Sequence, residues 1–294
     1  MTDEKFTLVG IRSAPETPPE RFGARQKKPV AAMAVLAVIL LGCLFCKLVM
    51  TKDPTYMDLA NYSRAPDREF LFGTDTMGRD IFSMIWYGGR ISLLIGFVST
   101  ALSTLIAVVF GSLSGLAPAW LDSLLMRLTE IILSIPNLLL VILIQAVLGD
   151  ASIGSISLVI GVTGWTSIAK VVRTEVRQVR ESEYVVASRC MGGGFFHILR
   201  RHLTPNFLSA IMFMVVMNIR SAIVSESTLS FMGIGLPLEI ISWGSMLSLA
   251  ENALLGNFWW MILIPGLFLI VTLLCITEIG NYLRKNANRK QSNL

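Results

Sequence analysis

Long apolar runs separated by short polar breaks dominate the chain. The first runs from about Val30 to Met50. Others follow at about Ile91–Leu116, Leu124–Leu148, Ile153–Val172, Pro205–Gly233 and Phe258–Leu283. At about 1.5 Å per helical residue, each can cross a hydrocarbon core roughly 30 Å thick. Lipid offers backbone amides no hydrogen-bond partner, so such runs close their hydrogen bonds internally as α-helices. The pattern therefore predicts an all-α membrane protein with six transmembrane helices. Pro136 lies inside the third run and predicts a bend or break there. Residues 234–257 are mostly apolar but interrupted by Gly235, Pro237, Gly244 and Gly256, which predicts a re-entrant or surface segment. The first run lacks a small-residue cleavage site and reads as a span, not a signal peptide.

Polar positions divide the chain. Residues 1–29, with Pro15, Pro18, Pro19 and Pro29, read as a flexible tail. Residues 30–50 form the first transmembrane helix, 51–90 a loop and 91–283 a five-helix core. That core contains a polar segment, 183–204, and a second tail follows at 284–294. Lys and Arg gather in three places: Lys5 to Lys28, Lys170 to Arg201, and Arg284 to Lys290. With six spans all three fall on one side, which the positive-inside rule assigns to the cytoplasm. The 51–90 loop fits this less cleanly, since it carries Lys52, Arg64, Arg68, Arg79 and Arg90. The expected topology is a multi-pass membrane protein with both termini cytoplasmic.

Composition narrows the class. Hydrophobic residues make up 53%, charged residues only 15%, and mean hydropathy is +0.65. Soluble domains carry roughly 25% charged residues. The net charge of +5 sits beside spans rather than on a polar face, which argues against nucleic-acid binding. Cys43 and Cys46 form a C-x-x-C inside an apolar run, where they read as small apolar side chains and not as a redox or metal pair. His197 and His202, five apart, do not share a helix face as metal ligands would. No phosphate-cradling G-x-x-x-x-G-K-[ST] and no G-x-S-x-G elbow occurs. The chain is expected to be non-catalytic, with no cofactor and no metal of its own.

Residues 183–206 read Glu-Tyr-Val-Val-Ala-Ser-Arg-Cys-Met-Gly-Gly-Gly-Phe-Phe-His-Ile-Leu-Arg-Arg-His-Leu-Thr-Pro-Asn. The first half predicts a short helix ending at the glycines, with Tyr184, Ala187, Ser188 and Met191 on one face. The second half predicts another short helix, ended near Thr204 by Pro205. By pattern alone the element either rests on lipid or docks into a partner's groove.

This segment resembles the loop of ABC-importer permeases whose core is Glu-Ala-Ala, three residues, then Gly. Val186, Ala187, Ser188 and Gly192 stand at those positions, so Val186 and Ser188 depart from the pattern. Residues 72–96, FGTDTMGRDIFSMIWYGGRISLLIG, resemble the N-terminal signature of the C-type permease of dipeptide, oligopeptide and nickel importers. The matching positions are Gly73, Thr74, Asp75, Gly78, Arg79, Asp80, Ser83, Tyr87, Gly88, Arg90, Ser92 and Gly96. Their pattern also suits caps and turns at a membrane surface, a scaffold more than a substrate contact. Residues 226–250, ESTLSFMGIGLPLEIISWGSMLSLA, resemble a further family stretch, with Pro237 in place of the usual adjacent prolines. Asp122, Met126, Arg127, Glu130 and Pro136 give a weaker fourth match. Together the resemblance covers about residues 70–283.

The resemblance implies a permease subunit forming half of a translocation pore for di- or oligopeptides, with nickel or a metal chelate as the alternative cargo. An ion-coupled secondary transporter is the alternative of another class, but the paired broken helices that would mark one are not legible. The implied partners are a second homologous permease subunit, two ATP-binding subunits that hold ATP and Mg, a substrate-binding protein outside the membrane, and lipid. Tyr184, Ala187, Ser188, Arg189 and Gly192 become the expected ATPase contact. Ionisable groups inside spans are costly and usually paired or functional. Glu130, Glu226 and Arg220 are therefore candidates, with Asn218 and Ser221 beside them. Glu130, Asn218, Ser221 and Glu226 are the expected pore or substrate-path residues. Glu226 can equally lock helices together, and Arg220 is expected toward the cytoplasmic half.

Overall fold

The computed structural model describes residues 28–180, 182–192, 194, 197, 204–250, 256 and 258–291. These residues are helical, joined by turns, with an isolated antiparallel bridge between Thr74 and Asp80. Most of the expected N-terminal tail, most of the second short helix before Thr204, and residues 251–255, 257 and 292–294 lie outside them.

Helix α1 (Val30–Leu44) and the short α2 (Cys46–Val49) meet at Phe45. Next comes α3 (Ile81–Leu116), whose 36 residues span about 54 Å. Helices α4 (Ala119–Ser134) and α5 (Asn137–Leu148) lie 90° apart. Helices α6 (Ile153–Thr163) and α7 (Thr166–Arg180) are bent by 44°. Then follow α8 (Glu183–Cys190), α9 (Thr204–Phe231), α10 (Trp243–Leu249) and α11 (Trp260–Gln291). By length and apolarity, α3, residues 210–231 of α9 and residues 260–286 of α11 can each cross a membrane, and each bent pair can make one broken span. A sixth crossing would need α1 and α2 together, because the 15 residues of α1 reach only about 22 Å.

The third apolar run is therefore not one continuous span. Proline has no amide hydrogen and crowds the residue before it. Ile135 is extended, at φ −93° and ψ 129°, and Pro136 opens the new helix α5. Elsewhere the helices outrun the apolar segments. Helix α3 starts at Ile81 rather than Ile91, α7 continues past Val172 to Arg180, and α11 runs past Leu283. Hydropathy marks where lipid begins. It does not end a helix, since Arg, Lys and Gln are good helix formers.

Helix α3 is the central post. Small residues let other helices approach its backbone closely. A Cβ on Gly96 would stand 2.7 Å from Ile223 of α9, and one on Gly111 2.6 Å from the Ala169 carbonyl of α7. Three apolar clusters surround the post. One joins α1, α3, α10 and α11 through Ile39, Ile85, Trp243 and Met261. Another joins α3, α7, α8 and α9 through Ala107, Val172, Val185 and Phe207. The third joins α3, α5, α6 and α9 through Ile95, Val141, Ile156 and Leu229.

Residues 51–80 form a compact knob before α3. The carboxylate of Asp80 caps α3, accepting from the Ser83 amide at 3.0 Å and the Ser83 hydroxyl at 2.6 Å. Arg79 Nε donates to the buried Asp75 carboxylate at 2.7 Å. Trp260 Nε1 donates to the Thr74 carbonyl at 3.2 Å, tying the knob to α11. At the exposed rim, the Phe70 amide holds the Asp67 carboxyl below its ordinary range, aided by the Glu69 amide and Arg64. The Gly-Thr-Asp and Gly-Arg-Asp positions thus build turns, caps and an ion pair.

Candidate functional site

Three polar centres and one short helix interrupt this apolar body. The first centre is built on Glu226, in the second half of α9. Its side chain is fully buried, and hydroxyls solvate it in place of water. Ser242 donates to Oε1 at 2.8 Å and Ser230 at 3.1 Å, while Ser92 donates to Oε2 at 3.0 Å. Ser227 lies 3.4 Å from Oε2. Three of these hydroxyls also accept a backbone amide: Ser92 from Trp243, Ser242 from Ser245, and Ser230 from Leu236. One carboxylate thereby joins α3, α9, the turn after α9 and the cap of α10. Trp243 completes the junction by donating Nε1 to the Ile85 carbonyl at 3.0 Å.

The second centre lies where α3 ends and α4 begins. Asp122 receives both Nε and Nη2 of Arg173, the Ser114 hydroxyl at 2.6 Å and Arg177 Nη1 at 3.0 Å. Arg180 donates to the Gly115 carbonyl at 3.0 Å. Successive turns of α7 thus grip α4 and the end of α3. Planar guanidinium suits this two-point hold, which ammonium cannot reproduce.

The third centre is a pocket of about 330 Å³ where α6 gives way to α7. Its walls mix polar Asn137, Thr163, Thr166, Ser167, Asn218 and Ser221 with apolar Leu133, Ile168, Phe213, Met214 and Met217.

Helix α8 follows α7 directly. Val185 and Ser188 face the body of the chain, whereas Val186, Ala187, Cys190 and Met191 are exposed. Gly192, at φ +85°, ends the element in the left-handed region that glycine adopts freely.

The sequence-predicted residues are thus separated in space. Asn218 and Ser221 line the pocket, but Glu226 does not: it is enclosed in its serine cage. Glu130 is exposed on α4. Arg220 is exposed just past the middle of α9. A single face containing Tyr184, Ala187, Ser188 and Met191 is not what α8 presents outward, because Ser188 is buried. The backbone of Tyr184 and Arg189 is helical, and their side chains lie outside the described set. Among the described residues, no group of three or more His, Cys, Asp and Glu could hold a metal ion. Sequence reasoning missed Arg173 and Arg177 as partners of Asp122, and Ser92 and Ser242 as partners of Glu226. All lay in recognisable segments, but their pairing spans up to 134 positions.

Residues 107–290 match the model of the "Binding-protein-dependent transport system inner membrane component" family. The dipeptide transport system permease protein DppC of Bacillus subtilis is 34% identical over 263 residues, covering 88% of this chain and 82% of that protein. The oligopeptide transport system permease protein OppC of the same organism is 33% identical over 258 residues, covering 88% of this chain and 84% of that protein. Among solved structures, an inward-facing form of the MetNI methionine ABC transporter superposes with a TM-score of 0.54 at 17% identity. It covers 69% of this chain and 96% of that one, a likeness of fold. The chain belongs to the binding-protein-dependent transport inner-membrane family and is a non-catalytic permease subunit of an ABC importer.

Proposed function

We propose that this permease forms half of a path for short peptides, delivered by a binding protein outside the cell membrane and driven by ATPase subunits on the inside. The peptide cargo is supported by the names of relatives such as the dipeptide and oligopeptide permeases. In this reading α1 with α2 makes the first of six crossings, both termini are cytoplasmic, and the 51–80 knob and the α9–α10 turn face outward. A second permease subunit supplies the other half of the path. ATP and Mg sit on two partner ATPases, and α8 docks into one of them.

The observation that carries the proposal is α8 itself. It is a short helix outside the long apolar segments, fastened to the body through Val185 and Ser188, with Ala187 and Met191 exposed. A small residue on an exposed helix face permits close approach by a partner. Closure of the ATPases would push α8, and the Arg173–Asp122 grip would carry the push from α7 to α4 as a rigid-body shift.

The test places a cysteine at Ala187 in the assembled importer and adds a short bifunctional thiol crosslinker. A crosslink to an ATPase subunit is expected. Labelling by lipid-borne reagents alone, with no ATPase adduct, would refute docking. A reporter fused after Leu294 should read cytoplasmic, and an extracytoplasmic reading would overturn the six-crossing model.

A further inference from the structure

We infer that the pocket at the two helix breaks is a station on the peptide's path, one that holds the cargo by its backbone rather than by its side chains. The inference rests on the peptide reading above.

Both interruptions of the membrane helices meet there. Asn137 belongs to the first turn after the 90° break, and Thr163, Gly164 and Thr166 flank the 44° break. Irregular backbone at membrane depth is tolerated where it lines a cavity, and transporter sites gather where helices are broken. Asn218 stands at the middle of α9, facing the second break: a Cβ on Gly164 would lie 3.2 Å from Asn218 Oδ1.

The chemistry of the walls defines the ligand. Asn137, Thr163, Thr166, Ser167, Asn218 and Ser221 offer amides and hydroxyls among apolar side chains such as Phe213 and Met217, and no described residue lining the pocket is ionisable. A site without charge offers no ion-pair partner and so does not select an acidic over a basic side chain. Amide and hydroxyl groups do match the peptide bond, which brings one donor and one acceptor per residue. The Thr163 hydroxyl is already used, donating to the Val159 and Ile160 carbonyls. Asn218 Nδ2 is not: it is enclosed and makes no hydrogen bond within the chain. A buried donor without an acceptor is costly. Opening of the α6–α7 break offers it a cargo carbonyl. The volume of about 330 Å³ is at the lower end for small-molecule sites. It suits part of a peptide, passed along in steps.

The experiment uses the complete importer with its binding protein in proteoliposomes, and a tripeptide carrying a diazirine on its side chain. Photolysis during ATP turnover is expected to label residues 163–167 or 213–221. Asn218→Leu and Ser221→Ala should each lower both labelling and import by about three- to tenfold, the range set by one net hydrogen bond. Import of an acidic and a basic tripeptide should fall by the same factor, whereas a site that read side chains would separate them; ATP turnover stimulated by the binding protein should stay near wild type, which a general packing defect would lower. If Asn218→Leu fails to assemble, the exposed Ser167→Ala and Ser221→Ala carry the test. Label confined to other segments while the tripeptide is imported would overturn the station and leave the peptide reading intact. So would wild-type import in the pocket variants. Failure of the wild-type importer to move any peptide would refute the cargo assignment and this inference with it.

Discussion

Replacing Glu226 by alanine removes the acceptor on which the α3–α9–α10 junction is centred. Three hydroxyls, on Ser92, Ser230 and Ser242, would lose contacts of 2.8 to 3.1 Å at a site with no solvent access. Each could rotate toward another acceptor, so the net loss is about 1 kcal/mol apiece, near the mean for a protein hydrogen bond. The void left by the side chain adds a further cost of about 1–2 kcal/mol. The expected total is about 4–5 kcal/mol. Glu226→Gln keeps the volume and one carbonyl acceptor but must turn its NH2 toward hydroxyls that now donate. It should cost about 1–2 kcal/mol. Unfolding in mixed micelles, followed by tryptophan fluorescence, measures both, because Trp243 packs in the same junction and its amide bonds to Ser92. Limited proteolysis should show the 232–242 turn cleaved faster in the alanine variant. If Glu226→Ala matched wild type within about 0.5 kcal/mol and its turn resisted protease, the junction would not depend on this carboxylate. Greater loss in the glutamine than in the alanine variant would also contradict the reasoning.

Other substitutions probe other levels. Gly192→Val forces a branched residue to φ +85° in open space, with no atom within 4 Å of the added Cβ. Strain of about 1–2 kcal/mol should fall on α8 alone, so insertion should be normal while coupling of ATP turnover to import is lost; normal coupled import would refute this. Asp122→Ala strands Arg173 and frees Arg177 and Ser114. A loss of about 1–3 kcal/mol is expected in mixed-micelle unfolding, and Arg173→Lys with Asp122 intact should also destabilise, since ammonium lacks the two-point geometry. Gly78→Ala would press a Cβ into the Asp58 carbonyl at φ +74°. The 51–80 knob should then become protease-sensitive while α3 still inserts. The purified permease alone should hydrolyse no ATP, and turnover matching the assembled importer would contradict the sequence reading.

The apolar runs alone settle that this is an α-helical membrane protein, because lipid leaves a backbone no other way to satisfy its hydrogen bonds. Local chemistry also reaches the break at Pro136 and the turn at Gly192, since a missing amide and a missing Cβ act within a few residues. Four stretches of sequence carry the family resemblance, and residues 107–290 match its model. Tertiary structure decides the rest. Glu226 reads the same in sequence whether it faces a pore or a serine cage. What separates the two is Ser92 and Ser242, brought to it from distant parts of the chain by the packing of α3 and α10. Asp122 likewise finds Arg173 only because Gly111 and Gly115 let α7 lie against α3. Ser188 and Ala187 are adjacent and both small, yet one is buried and the other exposed. Val185 of α8 joins the buried cluster of Val172, Val176 and Phe207, a grouping with no local sequence signature. Hydrogen-bond partners and buried faces depend on which helices meet, and neither hydropathy nor turn chemistry encodes that meeting position by position.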